Sequence, residues 1–89
     1  MRRDIAFEVD EEIRYQPILE RLLREKPAIV TEIGLFDIYR GTGVEKGKKS
    51  LAFRVLLQDT RKTLTDAEVE SAISQLRRIL QQQFNAKFR

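Results

Sequence analysis

The chain has 89 residues, of which 42% are hydrophobic and 35% charged, with a formal net charge of +3 and neither cysteine nor histidine. A chain of this length builds one compact core and not two, and its composition is typical of a folded domain. The missing cysteines and histidines exclude disulfide scaffolds, thiol nucleophiles, serine–histidine–aspartate triads and nearly all zinc sites.

The first part of the chain predicts a strand, a helix and a second strand. Apolar and polar residues alternate over 4–9, which indicates a half-buried strand. Helical spacing of apolar residues over 17–25 predicts a helix, and Pro27 ends it. Residues 29–39 alternate like a strand but change phase, which a β-bulge near 34–36 would explain.

The second part predicts a glycine-rich loop, a third strand, a longer helix and a short last strand. Residues 50–57 alternate as another half-buried strand. Thr65 and Glu68 form the sequence signature of a capping box, and a long helix with one apolar side follows them. A short strand at 86–89 closes the chain.

The order βαββαβ predicts an α+β fold, the ferredoxin-like sandwich. It has a four-stranded antiparallel sheet in the order 4-1-3-2 with both helices on one face. The other face stays open, and parity assigns to it the residues Asp4, Ala6 and Glu8, Ser50, Ala52 and Arg54, and, with the bulge, Asp37 and Tyr39. Because Ala6 and Ala52 lie in the middle of the sheet, the open face would have a shallow floor, polar walls and one aromatic ring.

Positive charge is concentrated in the middle of the chain. Residues 36–62 hold seven basic and three acidic side chains, against six and eight in 1–35 and four and three in 63–89. A polyanion would dock on the middle segment. Its glycine-rich loop carries three of the cations, Lys46, Lys48 and Lys49. These lysines are either solvated charges that discourage edge aggregation or contacts to a phosphodiester backbone.

Asp37 and Tyr39 are two residues apart and so share one face of a strand. Tyr39 either half-covers a sheet edge or forms a platform for an unpaired base, an interaction of roughly 1–3 kcal/mol in other systems. A carboxylate weakens binding of a polyanion unless it accepts hydrogen bonds from a base. The alternative is an ion pair of Asp37 with Arg40 or Arg54. Our hypothesis is that Tyr39 stacks a base whose edge Asp37 reads.

Nucleotide-binding and enzymatic interpretations fit the sequence poorly. A P-loop requires glycine where Thr42 stands and serine or threonine where Lys49 stands, and Lys46 replaces the third glycine of G-x-G-x-x-G. Small acyl phosphatases share the fold, but their arginine-bearing phosphate loop after the first strand is absent, so we expect no catalysis. RRM-type RNA readers carry aromatics on the central strands, where this chain has Ala6 and Ala52.

No apolar run approaches the ~20 residues that span a bilayer, and no signal peptide opens the chain. We therefore expect a cytoplasmic protein without a membrane partner.

Four motifs together resemble a known family. They are RRDIAFEV at 2–9, LFDIYRG at 35–41, GKKSLAFR at 47–54 and RKTLTDAEV at 61–69, and the ending FNAKFR at 84–89 is similar as well. They resemble the C-terminal ferredoxin-fold anticodon-binding domain of the bacterial phenylalanyl-tRNA synthetase beta chain. On this resemblance, residues 1–89 are expected to be a single such domain, excised from a larger subunit.

The resemblance implies a partner and a role for named residues. The partner is the anticodon stem-loop of phenylalanine tRNA, on whose first anticodon base Tyr39 would stack. Asp37 would accept hydrogen bonds from base edges, and Ser50 would contact another anticodon base. Contacts to the backbone, or orienting contacts, would come from Arg2, Arg3, Arg40, Lys46, Lys48 and Lys49, and the open-face Arg54 joins this surface.

The resemblance also implies properties of a longer parent protein. The parent would be a class II, ATP- and magnesium-dependent phenylalanine–tRNA ligase assembled as an alpha2-beta2 heterotetramer. The domain itself would need no cofactor and hold no metal. The alternative from the residues alone is a free-standing ferredoxin-like domain that binds a protein through its open sheet.

Overall fold

The structure, a computed structural model, describes residues 1–88. The elements in chain order are β1 (Arg2–Asp10), α1 (Tyr15–Glu25), β2 (Val30–Tyr39), β3 (Lys48–Leu57), α2 (Asp66–Phe84) and β4 (Lys87–Phe88). This is the predicted order βαββαβ. The predicted last strand also included Arg89, which lies outside the described residues.

The four strands form one antiparallel sheet in the order β2-β3-β1-β4. This confirms the predicted order 4-1-3-2 and with it the ferredoxin-like α+β fold. The two long central strands, β1 and β3, pair over nine positions from Arg2–Leu56 to Asp10–Lys48. The short β4 extends the sheet beside β1, and β2 forms the opposite edge.

Both helices pack on one face of the sheet. Ile5, Phe7 and Val9 of β1 and alternate residues of β3 form a single buried cluster with the apolar sides of α1 and α2. The rings of Phe7 and Phe53 meet edge to face with their centres 5.3 Å apart. The period-two pattern of the strands therefore places the core on the helix side, as the sequence predicted.

The ends of the helices follow local sequence signals. The side chain of Thr65 accepts a hydrogen bond from the Glu68 N–H at 3.2 Å, and the Glu68 carboxylate accepts one from the Thr65 N–H at 3.2 Å, which completes the predicted capping box. Asn85 ends α2 in the left-handed conformation with φ 55°. Lys26, just before Pro27, is extended and ends α1.

The edge strand β2 pairs with β3 irregularly. Its register shifts once between Leu35 and Asp37, near the predicted bulge, and a second time between Val30 and Glu32. The second shift was not predicted. Each shift adds one unpaired residue to β2 and so changes which side chains face the helices.

Candidate nucleic-acid interface

The open face of the sheet is floored by two alanines. Ala6 of β1 pairs directly with Ala52 of β3 in the middle of the two central strands. Both alternate with buried residues, so they point away from the helices. The next pair along one direction is Asp4 with Arg54. The centre of the open face is therefore a shallow depression beside charged side chains.

The bulge in β2 places Asp37 and Tyr39 on this open face. Asp37 lies opposite Ala52, and Tyr39 lies opposite Ser50. Directly paired residues project to the same side of a sheet, so all four share the side opposite the helices. This is the face that the sequence predicted for Asp37 and Tyr39.

The Asp37 side chain has no hydrogen bond and no ion pair within residues 1–88, and the residue is exposed. The two arginines considered as its partners are engaged elsewhere. Arg40 Nε lies 2.7 Å from Glu11 Oε1, and Arg54 Nε lies 3.8 Å from Asp4 Oδ1. The carboxylate therefore keeps its capacity to accept hydrogen bonds from a ligand.

Tyr39 offers its ring to solvent and uses its hydroxyl within the protein. The residue is 46% exposed, and its hydroxyl donates a hydrogen bond to the Thr42 carbonyl oxygen at 2.7 Å. Such a residue presents an aromatic surface whose orientation is restrained at the far end of the ring.

The glycine-rich loop after Tyr39 spans the end of the sheet. Arg40 pairs with Glu11 just beyond β1, and Glu45 Oε2 lies 3.7 Å from Lys87 Nζ on β4, at the edge opposite β2. Gly47 accepts a hydrogen bond from the Glu11 N–H at 2.9 Å. The turns need glycine, since φ is +119° at Gly41. The loop is thus tied to β4 and to the residue that follows β1, in addition to β2 and β3, which it connects.

The loop lysines lie in three different environments. Lys46 is exposed and has no ion partner within the described chain. Lys48 Nζ lies 2.7 Å from Asp10 Oδ1, and this hydrogen-bonded ion pair is the main reason that the pKa of Lys48 is raised. Lys49 is only 7% exposed and pairs with Val9, so it projects toward the helix side and not onto the open face.

The N-terminal arginines are also divided between the two faces. Arg2 pairs with Leu56 and lies on the open face, whereas Arg3 pairs with Val55 and is half-buried on the helix side. Ser50, the remaining predicted contact, is half-buried between Tyr39 and Glu8 on the open face. The structure therefore places Asp37, Tyr39, Ser50, Arg54 and Arg2 on the open face and Arg3 and Lys49 on the other. On the open face Arg2 lies at the end of the sheet far from Tyr39, because it pairs with Leu56 and Tyr39 pairs with Ser50.

Sequence reasoning missed the position of Phe36. This residue is the extra one in the bulge, is 47% exposed, and lies beneath Arg54, whose Cζ is 4.8 Å from the ring centre. The sequence pattern shows that Phe36 shares its parity with Ile38 but assigns its ring to neither face. The phase break in the sequence indicated the bulge but not the side to which the unpaired ring turns.

Other kinds of site find little support in the described chain. Within residues 1–88, no group of three or more histidine, cysteine, aspartate or glutamate side chains is arranged to hold a metal ion. The glycine-rich loop connects two strands and not a strand to a helix N-terminus. No helix in this range has both the length and the apolarity needed to cross a lipid bilayer.

The fold and its exposed face define a class. A four-stranded antiparallel sheet covered by helices on one side and open on the other is a ferredoxin-like α+β domain. The family model described as "Ferredoxin-fold anticodon binding domain" matches residues 1–89, and the chain belongs to this family.

Several curated relatives share the name phenylalanine–tRNA ligase beta subunit. The one from Nitrosospira multiformis is 51% identical over 89 residues, which are all of this chain and 11% of the relative. The one from Chromobacterium violaceum is 50% identical over 76 residues, or 85% of this chain and 10% of the relative. The one from Dechloromonas aromatica is 44% identical over 87 residues, which are 98% of this chain and 11% of the relative. The chain thus spans about a tenth of the length of these relatives.

Proposed function

We propose that this domain binds the anticodon loop of phenylalanine tRNA through its open sheet face. One unpaired base stacks on Tyr39 while Asp37 accepts hydrogen bonds from its edge. The observation that carries the proposal is that Asp37 and Tyr39 share the open side of an edge strand and that Asp37 lacks a partner within residues 1–88. Membership of an anticodon-binding family and the names of the relatives support the choice of RNA.

The geometry suits a base that is turned out of its loop. The small side chains of Ala52 and Ala6 leave space beside Tyr39, and Ser50 adds a hydroxyl that donates or accepts. An ionised carboxylate only accepts hydrogen bonds, so Asp37 favours base edges that carry amino or ring N–H donors. The same base is then stacked by Tyr39 and recognised at its edge by Asp37.

Cations around this site supply attraction without sequence preference. Lys48 lies on the open face at the end near Tyr39, Arg40 and Lys46 belong to the exposed segment that follows Tyr39, and Arg2 lies on the open face at the far end. Each contact between a lysine or arginine and a phosphate releases counterions, so affinity falls as salt is added. Lys49 and Arg3 project to the helix side, and we assign them no direct contact with the bound loop.

We further infer that the chain is part of the beta subunit of a phenylalanine–tRNA ligase. The longer protein would assemble with alpha subunits as an alpha2-beta2 heterotetramer and would use ATP and magnesium. We place neither group in this domain, because residues 1–88 hold no group of three or more carboxylates arranged for a metal ion and the glycine-rich loop leads into a strand and not into a helix. Such sites would belong to other parts of the longer protein.

The test measures binding of two RNA hairpins over a salt titration. One has in its loop GAA, the anticodon of phenylalanine tRNA that the family resemblance implies, and the other has the same loop bases in scrambled order. We expect tighter binding of the GAA hairpin, and we expect Tyr39→Ala and Asp37→Asn to remove that preference. Glu70→Gln, an exposed charge change on α2, is the control and should leave the preference intact. Equal binding of both hairpins at every salt concentration would refute base reading by this domain.

Sedimentation of the domain alone tests the protein-binding alternative. A stable dimer formed through the open sheet would bury Asp37 and Tyr39 and would compete with RNA. We expect a monomer at high concentration and a 1:1 complex with the hairpin. A dimer that the hairpin fails to dissociate would favour the protein-interaction function.

A further inference from the structure

We propose that the open face holds a second base-binding site, centred on Phe36 and Arg54, which takes another unpaired base of the same RNA loop. This inference rests on the proposed function and extends it. The evidence for it is a group of side chains around the bulge of β2, which have no role in the stacking and base reading proposed for Tyr39 and Asp37.

The first component is a preformed stack of a ring and a cation. Arg54 Cζ lies 4.8 Å from the centre of the Phe36 ring, and Arg54 Nε lies 3.8 Å from Asp4 Oδ1. The guanidinium thus lies near both a ring and a carboxylate, and both Phe36 and Arg54 remain exposed. Nucleobases stack on aromatic rings and on guanidinium planes alike.

The second component is an open cavity beside this stack. Its volume is about 150 Å³, and it is lined by Glu32, Gly34, Leu35, Phe36, Arg54 and Leu56. Pockets for drug-sized ligands occupy roughly 300–1,000 Å³, so this one admits a single flat ring better than a larger ligand. Its walls combine apolar surface from leucine with a carboxylate that accepts hydrogen bonds from a base.

The third component is a bare patch of backbone at the floor. Gly34 pairs with Arg54 across β3, so a side chain at this position would project onto the open face. A Cβ built at Gly34 would meet no atom within 4 Å, and its φ is not in the left-handed region. Neither packing nor backbone conformation therefore requires glycine here, and the space above Gly34 is open to a ligand lying on the sheet.

The two proposed sites lie along one edge strand. Phe36 and Tyr39 are three residues apart, which corresponds to about 10 Å along a strand. Each site has an aromatic ring, a small residue at the floor and an acidic residue. These are Tyr39, Ala52 and Asp37 in the first site and Phe36, Gly34 and Glu32 in the second. One single-stranded segment that follows the edge of the sheet can place a base in each site.

Gly34→Ala is the most direct test, because it fills the floor without disturbing a contact of the free protein. We expect its thermal stability to equal or exceed that of the wild type and its affinity for the GAA hairpin to fall about fivefold or more. Phe36→Leu should lower affinity to a similar extent through lost stacking. Leu23→Ala, which shortens an apolar side chain of 41% exposure on α1, is the control and should bind as the wild type does.

Hairpins with an abasic nucleotide at each loop position locate the base. If Phe36 stacks on one particular base, Phe36→Leu should lower the affinity for every hairpin except the one that lacks that base. The abasic loop position at which Phe36→Leu no longer lowers affinity should differ from the position at which Tyr39→Ala no longer lowers it. Full affinity of both Gly34→Ala and Phe36→Leu, while Tyr39→Ala still weakens binding, would refute the second site and leave the first. Loss of effect from Tyr39→Ala as well would refute the proposed function itself.

Discussion

Tyr39 and Thr42 are joined by a hydrogen bond of 2.7 Å from the tyrosine hydroxyl to the threonine carbonyl oxygen. The residue that presents its ring to the open face therefore also closes the first turn of the glycine-rich loop. The proposed stacking uses the ring of Tyr39, whereas the loop geometry depends on its hydroxyl. A substitution that removes only the hydroxyl therefore separates the two roles.

Tyr39→Phe keeps the ring and removes the hydroxyl. A typical hydrogen bond contributes about 0.5–1.5 kcal/mol, so we expect a two- to tenfold weaker affinity for the GAA hairpin, with a smaller loss than Tyr39→Ala causes. Faster amide hydrogen exchange over residues 41–47 would report the loosened loop. Tyr15→Phe on α1 is the matched control. Equal losses in the phenylalanine and alanine variants would contradict a stacking role for the ring.

Ala52→Leu tests whether the floor of the open face must stay shallow. Ala52 faces Ala6 on one side and Asp37 on the other, so a leucine side chain would fill the space beside the carboxylate. Because the site is at the surface of a strand, we expect stability to change by no more than about 0.5 kcal/mol. Affinity for the hairpin, measured by calorimetry, should fall at least as much as in Tyr39→Ala.

The same substitution at Ala67, an exposed position of α2, provides the comparison for Ala52→Leu. Ala67→Leu should bind the hairpin normally. A variant with leucine at position 52 that folds and binds normally would show that no ligand lies on the central strands.

Lys46→Gln should reduce the dependence of binding on salt. Lys46 has no ion partner within residues 1–88, so its whole charge is available to a phosphate. Loss of one phosphate contact lowers the slope of log affinity against log salt by about 0.7–0.9. Arg78→Gln on α2 removes the same charge from the helix side and should leave the slope unchanged. Identical slopes for both variants would indicate a general effect of net charge.

The Lys62–Glu68 pair makes stability depend on pH. The pKa of the Glu68 carboxyl lies below its ordinary value of 4.5, first because Lys62 donates a hydrogen bond to it at 2.7 Å and then because Thr65 does. A lowered pKa in the folded state means that the stabilisation is present above about pH 4.5 and is lost as the pH falls through the folded value. The pKa of Lys62 is raised, so its contribution persists until the pH rises above 10.5.

We therefore expect Glu68→Gln to be less stable than the wild type at pH 7 and the difference to shrink below pH 4. Urea denaturation at pH 3, 5 and 7 would measure it. Gln82→Ala, an exposed change on α2 without a titratable group, should show no such trend. A difference that grows toward low pH would mean that the capping box does not hold the charged carboxylate.

Periodicity in the chain was enough to predict the core and the fold. The apolar faces of β1 and β3, the capping box at Thr65 and Glu68, and the strand order all follow from signals within a few residues of one another and from the handedness of crossovers. The open face of Ala6 and Ala52 follows in turn, since the residues that alternate with a buried set must point the other way. The family resemblance added the RNA partner.

The partners of individual charges could not be read from the chain. Arg40 had Asp37 as a neighbour in sequence but pairs with Glu11, and Lys49 follows Lys48 yet lies on the opposite face. Ion pairs depend on which strands become neighbours and on their register, and a shift of one residue exchanges the two faces. The bulge at Phe36 is such a shift. Alternation along the strand does not assign a face to an unpaired residue, so only the tertiary structure shows that the Phe36 ring lies against Arg54 of β3.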